Sequence, residues 1–501
     1  MHHLLNILIW LPIIGGIFVM LTGDDNNPNV SRYLTLFTVV LTLFICVPLI
    51  SGFDLNTYSM QYIDEIQWMP ALGISYSLGV DGLSLLMIVL SIFTNLIVVL
   101  ATWNSIHKKV SQYMAAFLIM QGLLVGVFSA LDAMLFYVFF EATLIPMYLI
   151  IGIWGSDNRV YAAIKFFLYT FIGSVLMLAA FLYMGYIAGS FRIESFYAIK
   201  LTMTAQTLIF IAFFFGFAIK IPMFPVHTWL PDAHTEAPAG GSVMLAAILL
   251  KLGAYGFIRF ALPIVPDACQ HYAWFMIALS LIAVVYVGLV AIIQQDMKKL
   301  IAYSSISHMG FVTLGCFAVF IIAQQSGLRN AGLVLEGAIM VMISHAFVSS
   351  GMFAGVGFIY DRMHTRQIQD FGGIVKSMPV FATMMMLFAM ANAGLPGTSG
   401  FVGEFMIILG SIKAGFWMAF WAATTLIIGA AYTLWMYKRV IFGPVTNEKV
   451  ESLSDISGFE TTAFVLLAIM VLLMGIYPKP VLNYVHQTVS HTLALADKSK
   501  L

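Results

Sequence analysis

Four ionisable residues stand inside long apolar stretches of this sequence: Glu141, Lys220, Lys251 and Glu404. A charge at the centre of an apolar membrane segment costs about 2.5–3.5 kcal/mol on insertion scales, so such residues face the protein interior and commonly mark ion paths. A carboxylate can hold or release a proton, and burial and neighbouring charges decide how readily a lysine does the same. The four residues therefore indicate a buried proton or ion pathway. The alternative is a set of ion pairs that only hold helices together.

Two histidines also fall in apolar stretches, His308 after the segment YSSIS and His345 within ISHAFVSS. Histidine changes its charge near neutral pH, which suits it to carrying protons. The neighbouring hydroxyl groups indicate local hydration. We therefore treat both histidines as second-rank members of a relay, and the alternative is that they are satisfied core residues.

Charged residues are scarce: 23 Lys and Arg and 23 Asp and Glu make up 9% of the 501 residues, and 61% are hydrophobic. An average soluble domain has roughly 25% charged residues, so this composition excludes a soluble or disordered chain and indicates a membrane protein that crosses the bilayer many times. The net charge of zero gives no reason to expect nucleic acid as a partner. No nucleotide, haem or metal motif is present, and we expect no cofactor and no metal in this chain.

Apolar runs about 19 residues long predict the membrane helices. Such runs are too long and too gap-free for strands, so we predict an all-α polytopic membrane protein with about 14 transmembrane helices and no sizeable soluble domain. The fourteen runs are 3–21, 32–52, 82–103, 112–130, 133–154, 162–188, 205–225, 242–263, 273–294, 301–323, 333–358, 379–412 with an interruption, 415–437 and 461–485.

Basic residues in the loops predict the orientation of the chain. The connections after odd-numbered runs hold 13 Lys and Arg, and those on the other side hold eight. The side with more basic residues faces the cytoplasm. Both termini are therefore predicted to lie on the outer, periplasmic side.

Two runs are interrupted near a buried charge. Pro222 and Pro225 follow Lys220 in the seventh run, and residues 392–400 (NAGLPGTSG) precede Glu404 in the twelfth. Proline and glycine at these positions break a helix, and broken helices at membrane depth line ion sites in transporters built from inverted repeats.

The two breaks are five helices apart, so two five-helix units would have opposite orientation. We predict helices 1–3 in 1–110, a first unit of helices 4–8 in 111–266, an inverted unit of helices 9–13 in 267–440, and helix 14 with the tail in 441–501.

Several long segments resemble the antiporter-like membrane subunits of respiratory complex I, a family that includes related subunits of multi-subunit Na⁺/H⁺ antiporters. The matching segments are 220–238 (KIPMFPVHTWLPDAHTEAP), 249–256 (LLKLGAYG), 139–146 (FFEATLIP) and 295–310 (QDMKKLIAYSSISHMG). The resemblance covers nearly the whole chain. It implies fourteen helices, two inverted five-helix units and a hydrated central axis.

The resemblance also implies roles for the buried residues. Glu141 and Lys220 would form a pair, Lys251 would be the central proton carrier, His308 would help to bridge it through water, and Glu404 would be the exit-side acid. Most relatives are expected to carry lysine on the broken twelfth helix, whereas the segment 394–405 (GLPGTSGFVGEF) places a glutamate there.

Partners and cofactors follow from the same resemblance. It implies a proton-pumping translocase subunit beside the neighbouring antiporter-like subunits L and N in a bacterial inner membrane, in contact with lipid, water and protons. FMN, iron–sulfur clusters and quinone would belong to partner subunits. Two alternatives stay open: a subunit of an Mrp-type cation/proton antiporter, and a membrane scaffold whose buried charges only hold helices in register.

Overall fold

The computed structural model describes residues 3–24, 27–445 and 447–501. Within these residues, thirteen helices are long and apolar enough to cross a membrane, and they are numbered below as spans in chain order. Spans 1 to 11 are Leu4–Thr22, Pro28–Ser51, Gly82–Ala101, Val110–Ser129, Ala133–Trp154, Arg159–Ala188, Met203–Lys220, Ala239–Ile264, Ala273–Ile292, Met297–Ser326 and Leu328–Met363; spans 13 and 14 are Phe416–Phe442 and Phe459–Ile476.

Span 12 is interrupted, as the sequence predicted. Two shorter apolar helices, Pro379–Asn392 and Ser399–Ser411, are joined by a turn. Gly394 and Gly397 in this turn have φ angles of 76° and 90°, a left-handed conformation that residues with a side chain rarely adopt. Counted together, the two halves bring the number of membrane segments to the predicted fourteen.

Span 7 is also broken, which confirms the second predicted interruption. Its helix ends at Lys220, residues 221–228 are not helical, and a short helix, Trp229–Glu236, follows. The Trp229 indole donates a hydrogen bond of 2.9 Å to the Ile219 carbonyl, so the short helix folds back on the end of span 7. Proline at 222 and 225 explains the break, because proline has no backbone N–H to donate.

Two further interruptions were not predicted. Span 5 consists of two helices, Ala133–Ala142 and Leu144–Trp154, and Glu141 lies at the end of the first. Span 8 contains two π-helical segments, Leu245–Leu249 and Phe257–Ala261, on either side of Lys251. π-helical turns are rare and frequently occur at functional sites.

Two elements outside the membrane spans differ from the sequence prediction. The connection 53–81 forms an antiparallel hairpin of strands β1 (Gln61–Met69) and β2 (Ile74–Val80). The predicted run 461–485 is wrong in its second half: span 14 ends at Ile476, and a separate amphipathic helix, Lys479–Ala496, follows. Prolines at 478 and 480 stop the helix, because the residue before a proline disfavours helical geometry.

The spans differ in how deeply they are buried. In the most apolar part of each span, all residues of span 8 and 94% of those of span 10 are buried. In spans 1, 2 and 14 only 33% are buried. Spans 8, 10 and 11 therefore form the centre of the bundle. These are the spans that carry Lys251, His308 and His345. The predicted division of the chain into four segments stays a prediction.

Candidate functional site

Lys251 lies at the centre of the bundle and is completely buried. Its Nζ donates a hydrogen bond of 2.6 Å to the carbonyl of Ala246, within the first π-helical segment of span 8. It also lies 2.7 Å from Nδ1 of His345 on span 11. The lysine therefore joins two spans through one side-chain contact.

The two histidines continue this contact towards Glu404. The rings of His345 and His308 lie 5.8 Å apart, centroid to centroid. Nδ1 of His308 is 2.8 Å from Oε1 of Glu404, and its Nε2 is 3.4 Å from the Tyr432 hydroxyl. The structure thus brings Lys251, His345, His308 and Glu404 together in one line, which we call the Lys–Glu line.

A small cavity lies beside this line. Its lining includes His308, His345, Ser344, Asn392 and Glu404. The centre of a water molecule can occupy about 10 Å³ of it. That space holds about one water, and the polar lining supplies several hydrogen-bond partners for it. Water can therefore bridge the gap between the two histidine rings.

Several hydroxyl groups near the histidines donate hydrogen bonds to backbone carbonyls. Those of Ser304 and Ser305 bond the Ile301 carbonyl, and that of Ser349 bonds the His345 carbonyl. Bonds of this kind to the preceding helical turn are common for serine in helices. The hydration expected from the neighbouring hydroxyl groups stays a prediction, and Ser344 lines the cavity that has space for water.

Glycines bring the helices close enough to form the Lys–Glu line. A Cβ on Gly403 of span 12 would lie 2.6 Å from the Val341 backbone nitrogen of span 11. A Cβ on Gly253 of span 8 would lie 2.5 Å from the Phe217 carbonyl of span 7. Gly403 precedes Glu404 by one position, and Gly253 follows Lys251 by two positions. The close helix contacts at these glycines therefore determine where Glu404 and Lys251 lie.

The predicted Glu141–Lys220 pair is not in direct contact. Among the described residues, the buried Lys220 Nζ has no hydrogen-bond partner, and neither has Oε1 of Glu141. The Lys220 ammonium instead lies 4.9 Å from the centre of the Phe140 ring, within the range of a cation–π interaction. Glu141 is half-buried. The two side chains make no direct hydrogen bond, yet they are close enough to act on each other electrostatically. The predicted pair stays a prediction.

His234 is a further candidate that the sequence reasoning missed. It lies on the short helix after the break in span 7, is fully buried, and stacks on Phe353 with 4.4 Å between ring centroids. Neither ring nitrogen has a hydrogen-bond partner among the described residues. Lys251 and Lys298 are close enough to act on it electrostatically. In the sequence His234 lies between the helix break after Lys220 and the central Lys251, and this position could have identified it as a candidate site residue.

More charges are buried than the four that the sequence indicated. The Arg259 guanidinium forms an ion pair of 2.7 Å with Asp81, and both side chains are buried. Lys298, which we expected in a loop, is buried in the first turn of span 10, and its Nζ donates a hydrogen bond of 2.6 Å to the Ala237 carbonyl. Arg259 lies within the predicted run 242–263 but was counted with the loop residues, and Lys298 lies just before the run 301–323. The count of loop charges therefore did not reveal their burial.

The fold and the Lys–Glu line define a polytopic membrane protein with acidic and basic side chains in contact at its centre. Residues 130–429 match the profile of the NADH:quinone oxidoreductase/Mrp antiporter transmembrane family. The chain is 46% identical to NADH-quinone oxidoreductase subunit M of Rhodobacter capsulatus, over 98% of this chain and 96% of that protein. The chain therefore belongs to this family, within its group of subunits M.

Solved structures are similar over the same length. The chain matches a subunit of respiratory complex I from Thermus thermophilus with a TM-score of 0.88 and 29% identity, covering 99% of this chain and all of the other. A chain of the Mrp complex from Dietzia sp. has the same fold, with a TM-score of 0.82 and 20% identity over 97% of this chain and 52% of the other.

Proposed function

We propose that the chain is a proton-translocating membrane subunit of an NADH:quinone oxidoreductase. The observation that carries the proposal is the Lys–Glu line: four titratable side chains on four different spans, joined by contacts of 2.7 and 2.8 Å and one water-sized gap. Proton transfer needs donor and acceptor within hydrogen-bond reach or one water apart. The full-length similarity to subunit M supports the assignment to the complex.

The line can pass a proton by a sequence of hydrogen bonds. The Lys251 ammonium donates a proton to Nδ1 of His345 when this nitrogen is unprotonated. The proton then leaves His345 through the cavity water to His308, and His308 passes it to Glu404. Each step moves the positive charge to the next side chain, and the last step places the proton on Glu404, so the proton is held by a polar group throughout.

Lys220 and Glu141 are proposed to control when Lys251 releases its proton. Burial disfavours the ammonium form of a lysine, and a nearby carboxylate favours it. A change in the distance between Glu141 and Lys220 would alter the charge of Lys220, and a charged Lys220 repels a protonated Lys251. In this structure the two side chains make no direct hydrogen bond but are close enough to act on each other electrostatically.

The energy for this movement is proposed to come from partner subunits. FMN, iron–sulfur clusters and quinone would carry out the redox reaction there, and the chain would act as an H⁺-pumping part of the enzyme. Its expected neighbours are the antiporter-like subunits L and N and the lipid of a bacterial inner membrane. The excess of basic residues in the odd-numbered connections supports periplasmic termini.

An Mrp-type antiporter subunit is the second candidate, because the Mrp complex shares the fold. Glu404 favours the first candidate, since the resemblance leads us to expect lysine at this position in the antiporters. Isolation of the chain with its natural partners separates the two. Flavin and iron–sulfur proteins in the purified complex support the oxidoreductase, whereas antiporter subunits would overturn it.

Replacement of Lys251 with methionine tests the proposed pathway. In the assembled complex in vesicles, we expect Lys251→Met to reduce proton pumping at least about tenfold, because the line loses its first donor. Lys413→Met, at an exposed position, is the matched control and should pump as the wild type does. Wild-type pumping per NADH oxidised in the Lys251 variant would exclude Lys251 as the carrier.

A further inference from the structure

Arg439 carries a guanidinium group without a counter-charge near one end of span 13. Its Nε and Nη2 atoms have no hydrogen-bond partner among the described residues, and no described carboxylate forms an ion pair with it. Its guanidinium carbon lies 5.3 Å from the centre of the Trp435 ring. A negative group from outside the chain would stabilise a partly buried cation of this kind.

The position of Arg439 along span 13 indicates the level of the membrane at which that group lies. Trp417 and Trp435 are both exposed and are eighteen residues apart, which is about 27 Å along a helix. This distance is close to the hydrocarbon thickness of about 30 Å, and tryptophan concentrates at both membrane interfaces. Arg439 is one turn beyond Trp435, so it lies at the level of the lipid headgroups.

The same helix offers a surface for acyl chains. Phe420, Ile427 and Leu434 follow one another at intervals of seven residues and are exposed, by 44%, 76% and 37%. Residues at this spacing lie on one face of a helix. Lys438 is exposed one turn after Leu434 and ends this face with a second positive charge. The exposed apolar face of span 13 is therefore adjacent to the basic side chains of Lys438 and Arg439.

We propose that Lys438 and Arg439 bind the phosphate group of an acidic phospholipid, whose acyl chains lie along Phe420, Ile427 and Leu434. Arginine suits this role because its planar group can donate two parallel hydrogen bonds to a phosphate. The basic excess of the neighbouring connections agrees with an anionic leaflet on this side. The inference is independent of the proton pathway and of the identity of the complex.

The nearest acidic side chains do not replace the lipid. The segment Ile368–Asp370 contacts residues 438–442 directly, but Asp370 accepts a hydrogen bond from the Thr365 hydroxyl and forms no ion pair with Arg439. Glu448 and Glu451 lie on a short helix that contacts residues 374–376, and this segment in turn contacts residues 438–442. Both glutamates are exposed, and neither forms an ion pair with Arg439. Lys376, on the intervening segment, is exposed and adds to the positive charge.

Lipid analysis of the intact complex tests the proposal. The complex is purified in mild detergent from wild type, Arg439→Gln and, as a control at the other end of span 13, Lys413→Gln. Mass spectrometry counts the phosphatidylglycerol and cardiolipin that remain bound. We expect about fivefold less tightly bound acidic lipid for Arg439→Gln, because a basic side chain near an anionic surface contributes about a fivefold preference. We expect no change for Lys413→Gln, because Lys413 lies at the other end of span 13, on the side with fewer basic residues.

Rebinding to the delipidated wild type distinguishes the possible anions and needs no variant to assemble. Spin-labelled phosphatidylglycerol should bind in preference to phosphatidylcholine, and excess inorganic phosphate should not displace it. Equal binding of the two lipids, or full displacement by inorganic phosphate, would overturn the proposal. An Arg439→Gln complex that keeps its acidic lipid would also overturn the proposal. If that complex loses a neighbouring subunit as well, a carboxylate of that subunit is the counter-charge of Arg439.

Discussion

Lys251 and His345 share a hydrogen bond of 2.7 Å across 94 positions of sequence, in the most deeply buried part of the bundle. Two adjacent groups that are both positively charged repel each other strongly in such surroundings. The pair therefore favours a single proton held between lysine and imidazole. A contact of this kind is a natural place for proton transfer, and it gives His345 a more central role than its second rank in the sequence indicated.

Removal of the imidazole at position 345 should interrupt the pathway. We expect His345→Phe to lower proton pumping at least about tenfold, because Lys251 loses the acceptor of its proton. Fluorescence quenching by a pH-sensitive dye in vesicles, with NADH oxidation followed in parallel, measures the effect. Ser349→Ala, one turn away, is the control and should behave as the wild type. Normal pumping by His345→Phe would assign the histidine to the core.

Glu404 allows charge and geometry to be separated. Glu404→Gln keeps the size of the side chain and a hydrogen bond to His308, but the amide does not take up a proton. We expect normal assembly with pumping reduced at least about tenfold. Glu404→Asp shortens the side chain and weakens the 2.8 Å contact with His308, so an intermediate rate is expected. If Glu404→Gln pumps normally, the exit-side role of this residue is wrong.

Glu141 distinguishes control of the pathway from simple helix packing. We expect Glu141→Gln to reduce activity severely and to leave the amount of assembled complex unchanged, because the residue is half-buried and its Oε1 atom makes no hydrogen bond within the described chain. Native gel electrophoresis measures assembly, and quinone reduction measures activity. Loss of the assembled complex would favour the structural interpretation instead.

The close contact at Gly403 should tolerate no side chain. We expect Gly403→Ala to lower the free energy of unfolding by about 1–3 kcal/mol, because its Cβ would press on the Val341 backbone nitrogen. Gly152→Ala is the control, since the nearest atom to its Cβ would be 3.7 Å away. Thermal unfolding in detergent compares the two. Equal stability of both variants would show that span 12 can move away from span 11.

The sequence predicted the fold well because membrane helices have a strong local signal. Both helix breaks followed from proline and glycine beside Lys220 and Glu404, and no long-range information was needed. The hairpin of residues 61–80 and the helix Lys479–Ala496 were missed, because short amphipathic elements carry a weaker signal than a membrane span does.

The site was harder to predict, because contacts between distant spans have no local signal. Composition located Lys251 and Glu404, but the order of contacts through His345 and His308 depends on helix packing. The same packing leaves Glu141 and Lys220 without a direct hydrogen bond, although they lie close enough to interact electrostatically. His234 was overlooked because it stands in a segment with mixed polarity.

The two π-helical segments of span 8 have a mechanical consequence. Each π turn holds one residue more than an α turn, and the seven-residue helix Leu250–Gly256 lies between the two. Transfer of one residue between these turns would rotate that helix by about 100° about its axis without unfolding span 8. Lys251 lies on this helix. A rotation by one residue would therefore move its ammonium away from His345 and towards another side of the bundle.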